Sequence, residues 1–346
     1  MSDNAESYML EREVPIVGGS AGAFSNNLSV SMASHKNLTY AAVVNKDQVH
    51  TISWDSKFEW MIHNVLPARD ISPGRNNKKA KFCTLRNRST PLLVICSVAG
   101  AAVCDIVSAS IIYWLPAPEE NCMLWRCMKG VACRRDRLFI GSHTGHVYQL
   151  LVRGDIVDSV GYFKELKNPV MDIATNDSVL VSVSMLGVMA IYKADPKNSD
   201  GDVLIIHKVI NAGLSINRVV VYKGLVFCGT MTGQIVAYDM NSGDISLEIN
   251  AHSQPVTDLD VSDSTDQIIS TSEDSFIRIW RIGNVREGQT GCCFSTNIPN
   301  VPLVGGCFVD SDGSTFVASG YDYSALFYFT QRRESGVESG KGFIAN

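Results

Sequence analysis

The segment from residue 251 to 280, "AHSQPVTDLDVSDSTDQIISTSEDSFIRIW", holds His252, Ser270, Asp274 and Trp280. A His, a Ser and an Asp are the residue types of an acyl-transfer relay, in which the base takes the proton of a hydroxyl nucleophile. Such a nucleophile stands exposed on a strained turn beside an oxyanion hole. Ser270 instead falls inside "QIISTS", a run rich in β-formers. The alternative is a structural clasp, since buried polar groups must find partners.

Two other groups of residues have types that do chemistry. Cys122, Cys127, Cys133, His143 and His146 fall within 25 residues and carry the usual zinc ligands, but not at the spacing of a knuckle site. They read as small buried thiols and strand or turn histidines. Cys292 and Cys293 are adjacent, so on a strand one points inward and the other outward, and nothing nearby in sequence lowers a thiol pKa. No metal site and no cofactor is expected.

The elements that position these residues emerge from a repeat. An apolar strand, a turn centred on Gly or Ser, and a second strand recur in "LLVICSVAGAAVCDI", "LFIGSHTGHVYQL", "VLVSVSMLGVMAIY", "LVFCGTMTGQIVAY", "QIISTSEDSFIRIW" and "TFVASGYDYSALFYF", with a weaker copy, "YAAVVNKDQVHTISW". The turn anchors Gln48, Gly100, Gly145, Gly187, Gly233, Ser275 and Ser324 are 52, 45, 42, 46, 42 and 49 residues apart. That is the period of a four-stranded propeller blade. Glycine at four anchors suits turns that need positive φ. The fold expected is all-β, a seven-bladed propeller. An N-terminal apolar strand at 14 to 19, "VPIVGG", completes the last blade, which lacks a fourth strand of its own. The division expected is a flexible stretch over 1–13, the propeller over 14–330 and a Gly/Ser-rich flexible tail over 331–346.

Composition narrows the function classes. At 45% hydrophobic and 19% charged the chain can bury a core, and its net charge of −5 argues against a surface built for polyanions. The start "MSDNAESYMLEREV" does not read as a signal peptide, no apolar stretch is long enough to span a bilayer, and ten cysteines read as reduced thiols. Together these place the protein in the cytoplasm, with no membrane insertion and with nucleic acid disfavoured.

The positions of His252, Ser270, Asp274 and Trp280 resemble the tetrad of the WD-repeat propeller family. The resemblance implies that the turn Asp accepts from the His, the His contacts the Ser hydroxyl, and the hydroxyl meets the Trp N–H. The stretches "NNLSV", "NLTY", "INAH", "EDSFIRIW" and "GSTFVASGYD" are similar to one member of that family across positions 26 to 322. The sixth copy lacks the WD dipeptide, since Trp280 is followed by Arg281. Some relatives are substrate receptors of Cullin-type ubiquitin ligases, through an Asp and a later Arg after the third-strand Trp, and "IWRIGN" and "AYDMNS" lack that arrangement. The family implies a noncatalytic interaction scaffold with protein or peptide partners.

Two surfaces are candidates for such partners. Residues two before the anchors, Lys46, Val98, His143, Met185, Met231, Glu273 and Asp322, are expected to ring one mouth of the central channel. Val98, Met185 and Met231 give an adaptable apolar sector, and Glu273 and Asp322 give an acidic one with Tyr321 and Tyr323 nearby, which fits a peptide with an apolar anchor and a basic group. The segment 69–88 has seven Lys or Arg and one Asp, including Arg75, Lys78, Lys79, Lys81, Arg86 and Arg88. It is expected to be mostly a loop between the first two blades, either solvated or docking an acidic peptide or RNA. An enzyme with His143 and Asp322 at the channel is the remaining alternative.

Overall fold

The computed structural model describes residues 7–67, 77–119, 127–198, 201–283 and 290–332. Among them, seven antiparallel four-stranded sheets follow one another in chain order as the blades of a propeller. Each blade runs inner strand, second, third, outer. The exception is the seventh, whose three C-terminal strands are completed by Tyr8–Pro15 paired to Ala325–Gln331. The ring therefore closes through the N-terminal segment, as the unpaired apolar run implied.

The closing strand itself lies earlier than that run suggested. It spans Tyr8–Pro15, not 14 to 19, so residues 8–13 belong to the propeller rather than to a flexible leader. The expectation followed the apolar letters of "VPIVGG", whereas "YMLEREVP" is charged because it is an edge strand, where charge discourages further pairing. Tyr8 and Val14 are its buried residues. The expected tail begins inside the last strand, which ends at Gln331, and residues 333–346 lie outside the described residues.

Seven apolar clusters lie between consecutive blades. Middle strands are thus covered on both faces, which is why Leu92–Ser97, Val179–Ser184 and Gln267–Ser272 are buried at every position. The turns between second and third strands are held by close backbone approach. A Cβ on Gly187 (φ +76°) would sit 2.0 Å from the Leu214 carbonyl oxygen, and one on Gly233 (φ +88°) would sit 2.2 Å from that of His252. In return, the Gly187 and Gly233 carbonyls accept from the N–H groups of Ala212 (3.0 Å) and His252 (2.8 Å). Each turn is pinned to the loop that leads into the next blade.

Candidate functional site

The sixth blade brings His252, Ser270, Asp274 and Trp280 together. His252 Nδ1 lies 3.1 Å from both oxygens of Asp274, and its Nε2 is 2.8 Å from Ser270 Oγ. Trp280 Nε1 donates to the same Oγ at 2.9 Å. The hydroxyl thus donates to the imidazole and accepts from the indole, and Ser270 is fully buried, so no substrate carbonyl reaches its oxygen. Burial pushes the His252 pKa down against the pull of Asp274, so the ring is held neutral. Burial works against the Asp274 carboxylate, yet the hydrogen bonds from His252 and from the Ser253 and Phe276 N–H groups keep it well below the usual range. The arrangement clamps a turn to a loop.

At the mouth of the channel, on the face bearing these turns, lies a cavity of about 660 Å³. Val98, Met185 and Met231, from the turns of blades two, four and five, all line it, with Leu186, Met171 and Phe24. Met231 and Leu186 are exposed, at 47% and 61%. The apolar sector of the expected ring is therefore one concave surface. The other members do not share it. His143 is buried, at 3% exposure, and Lys46, Glu273, Tyr321 and Asp322 stand exposed in the turns of blades one, six and seven. Tyr323 turns away to donate to Glu13 Oε2 at 3.0 Å. His143 and Asp322 belong to blades three and seven, and neither lines this cavity.

Beneath the cavity is a feature that sequence reasoning missed. Lys79 Nζ meets Asp172 Oδ1 at 3.0 Å, Arg218 Nη1 bonds Asp172 Oδ2, and Arg218 Nε meets Asp258 Oδ1 at 2.7 Å. The Gly306 N–H donates to Asp258 Oδ2 at 3.0 Å, and the Asn26 side chain, oriented to accept, bonds both Lys79 and Arg218. All four charged groups are buried. They come from the inner strands of blades two, four, five and six, and in each strand the charged residue directly follows a register shift against its neighbour. The recurring bulge aims one side chain per strand into the channel. The signal was present as Lys, Asp, Arg and Asp at matching places in four inner strands, hidden by a bulge that breaks period-two reading. Burial pulls the Lys79 ammonium down to about 8 against the pull of Asp172. Burial disfavours the Asp172 carboxylate, but Arg218 and Lys79 outweigh it and hold the group well below the usual range.

This network corrects one part of the reading of 69–88 as mostly a basic loop, of which residues 69–76 lie outside the described residues. Asn77–Cys83 is the inner strand of blade two, and Lys79 is spent in the channel. Arg88 pairs with Asp105 (2.5 Å) and Asp155 (2.7 Å), and Arg86 with Asp177 (3.2 Å). Lys79, Arg86 and Arg88, three of the charges that suggested a polyanion surface, are thus paired with carboxylates of this chain. Lys78 and Lys81 lie on the same strand, and Arg75 lies outside the described residues.

The Cys133 thiol interacts with that of Cys83 rather than with the other members of the candidate zinc set. Cys133 Sγ donates to the Thr84 carbonyl at 3.5 Å, His146 Nδ1 lies 3.1 Å from Thr144 Oγ1, and Cys122 is outside the described residues. Among the described residues no three His, Cys, Asp or Glu side chains converge as a metal site. Cys292 is exposed, whereas Cys293 packs toward the core between blades six and seven. Among the described residues no helix is long and apolar enough to cross a membrane.

Comparison with known proteins agrees with this geometry. A family model described as WDR54 matches residues 7–332. WD repeat-containing protein 54 of Homo sapiens is 25% identical over 340 residues, which cover 93% of this chain and 99% of that protein. WD repeat domain 54 of Rattus norvegicus is 25% identical over 339 residues, with the same coverage. Among solved structures, a chain of the crystal structure of a mitotic checkpoint complex superposes with a TM-score of 0.73 over 95% of this chain and 94% of its own, at 17% identity, a likeness of fold.

Proposed function

The chain belongs to the WDR54 family, and from that premise we propose that it is a noncatalytic platform whose channel-mouth cavity receives an apolar side chain of a peptide or protein partner. WD-repeat propellers are in general interaction scaffolds, so the family supports the class of function, and the cavity supports the location. The observation that carries the reading is the convergence of Val98, Met185 and Met231, from three separate blades, on one concave apolar surface. Flexible methionines adapt to varied apolar anchors, which suits peptide recognition. The exposed carboxylates of Glu273 and Asp322, on the same face, suit a basic group on that partner. The buried ionic network beneath supports a rigid floor rather than a path through the channel. The platform works in the cytoplasm under this reading.

The test is proximity labelling with the intact chain against a Met185→Glu, Met231→Glu double variant. The expected result is loss of a defined subset of partners in the variant, and a second subset weakened by joint charge reversal at Glu273 and Asp322. An unchanged partner set in the double variant, with the fold intact by circular dichroism, overturns the reading.

A further inference from the structure

A second concave surface lies at the side of the disc, between blades six and seven, with a volume of about 510 Å³. Its floor is aromatic: Tyr8, Phe327 and Phe329 are buried there, and Phe294 meets Tyr8 edge-on with ring centroids 5.1 Å apart. Ile298 and Pro299, from the loop that leaves blade six, form its upper wall.

The closing strand gives this groove its charge through a register shift. Leu10 lies opposite Phe329, Arg12 opposite Tyr328 and Glu13 opposite Phe327, so Glu11 is the extra residue of a bulge. Without it, Arg12 would continue on the face of Tyr8 and Leu10. With it, Arg12 turns to the other face, where its guanidinium stacks 3.9 Å from the centre of the Phe58 ring, and Glu13 takes its place beside the aromatic floor. The bulge exchanges a cation for an exposed carboxylate, which Tyr323 orients by its 3.0 Å hydrogen bond. Both bordering strands, Tyr8–Pro15 and Thr290–Asn297, are outermost in their sheets, and among the described residues no further strand pairs with them. An extended chain can therefore add along either edge.

The geometry points to a second binding site here, for an extended peptide that places an aliphatic side chain on the aromatic floor and a Lys or Arg one to three residues away against Glu13. The aliphatic stem of that basic residue covers ring surface while its charge reaches the carboxylate. The site is separate from the channel-mouth cavity and does not depend on it.

The test uses the full chain and fluorescein-labelled Gly/Ser decapeptides carrying one Leu and, two residues on, Arg, citrulline or Glu, read by fluorescence anisotropy. The expected result is that the Arg peptide binds about tenfold more tightly than the Glu peptide, with citrulline between. Glu13→Lys, at an exposed position that does not carry the fold, reverses the order, while the Met185→Glu, Met231→Glu variant leaves it unchanged. Three results overturn the proposal: the same order in Glu13→Lys, no complex tighter than about millimolar for any peptide, or loss of binding in the methionine variant, which assigns the peptide to the cavity instead.

Discussion

Removing the Asp274 carboxylate separates a structural clasp from a catalytic relay by its effect on stability and on pH. Asp274→Ala removes the carboxylate between the fully buried His252 ring and the Arg278 guanidinium, which lies 2.9 Å from Nδ1, and releases the N–H groups of Ser253 and Phe276. An orphaned buried donor costs about 1–3 kcal/mol, and the lost charge-assisted bonds raise the total to about 3 kcal/mol. For 346 residues the unfolding entropy is about 0.7 kcal/mol per kelvin, so Tm falls by about 4 °C. Because the carboxyl is depressed in the folded state, its stabilisation is present above the unfolded value of about 4 and is lost as pH falls through the lower folded value. The Tm gap between the parent and the variant should therefore be constant from about pH 5 to 8 and narrow below about pH 4. Scanning fluorimetry across that range measures it. Equal Tm values at pH 7, or a gap that widens on acidification, refutes the clasp.

Further substitutions test the channel and the turns. Asp172→Asn leaves Lys79 and Arg218 facing each other and should cost about 3–5 kcal/mol by urea unfolding, whereas adding Lys79→Met should recover part of that loss. Burial and Asp258 push the Asp260 carboxyl up to about 6, so stability is lost as pH rises from about 4 through 6. Asp260→Asn should therefore stabilise by about 2 kcal/mol at pH 7 and have little effect below pH 4, as the same unfolding assay would report. Gly187→Ala should cost well over 1 kcal/mol because its Cβ meets the Leu214 carbonyl, while Gly154→Ala, also at positive φ but with nothing within 4 Å, should cost about 1 kcal/mol. Deleting residues 1–15 exposes the edge of Ala325–Gln331 and uncovers two inter-blade clusters, and light scattering should detect self-association.

The repeat was legible because its turn chemistry is local. Gly145, Gly187 and Gly233 have φ between +76° and +88°, and Ser275 holds the same place at +71°, so these four anchors follow from sequence. The first and seventh anchors show the limit, since there Lys46 and Asp322 take the positive φ, and Gly100 at the second begins a strand at +159°. Strand alternation was less legible because the blades stack on both faces, as "LLVICS" shows, and residues there are apolar at nearly every place. The apolar half of the candidate site followed from equivalent turn positions. The ionic network did not, because "NKKAKFC" taken alone is a solvated charge run, and only the opposing Asp172 from a blade 93 residues away makes Lys79 a core residue. Charge at one position acquires its meaning from the ring.

A hydroxyl device does in most blades what the full tetrad does in one. Ser97, Ser142, Ser184, Thr230 and Ser272 each end a second strand, are buried, and accept a backbone N–H from the turn that follows, at 3.0 to 3.2 Å. Each satisfies a buried donor without any contribution from His, Asp or Trp. Blade six has this bond and adds the tetrad, which ties the same turn to Ala251–Ser253 through Asp274. The tetrad is therefore a reinforcement of one joint rather than a requirement of the fold. If that is the division of labour, Ser184→Ala should destabilise by about 1–2 kcal/mol, measured by urea unfolding, although no tetrad surrounds it. A neutral result would show that the glycine turn alone is sufficient.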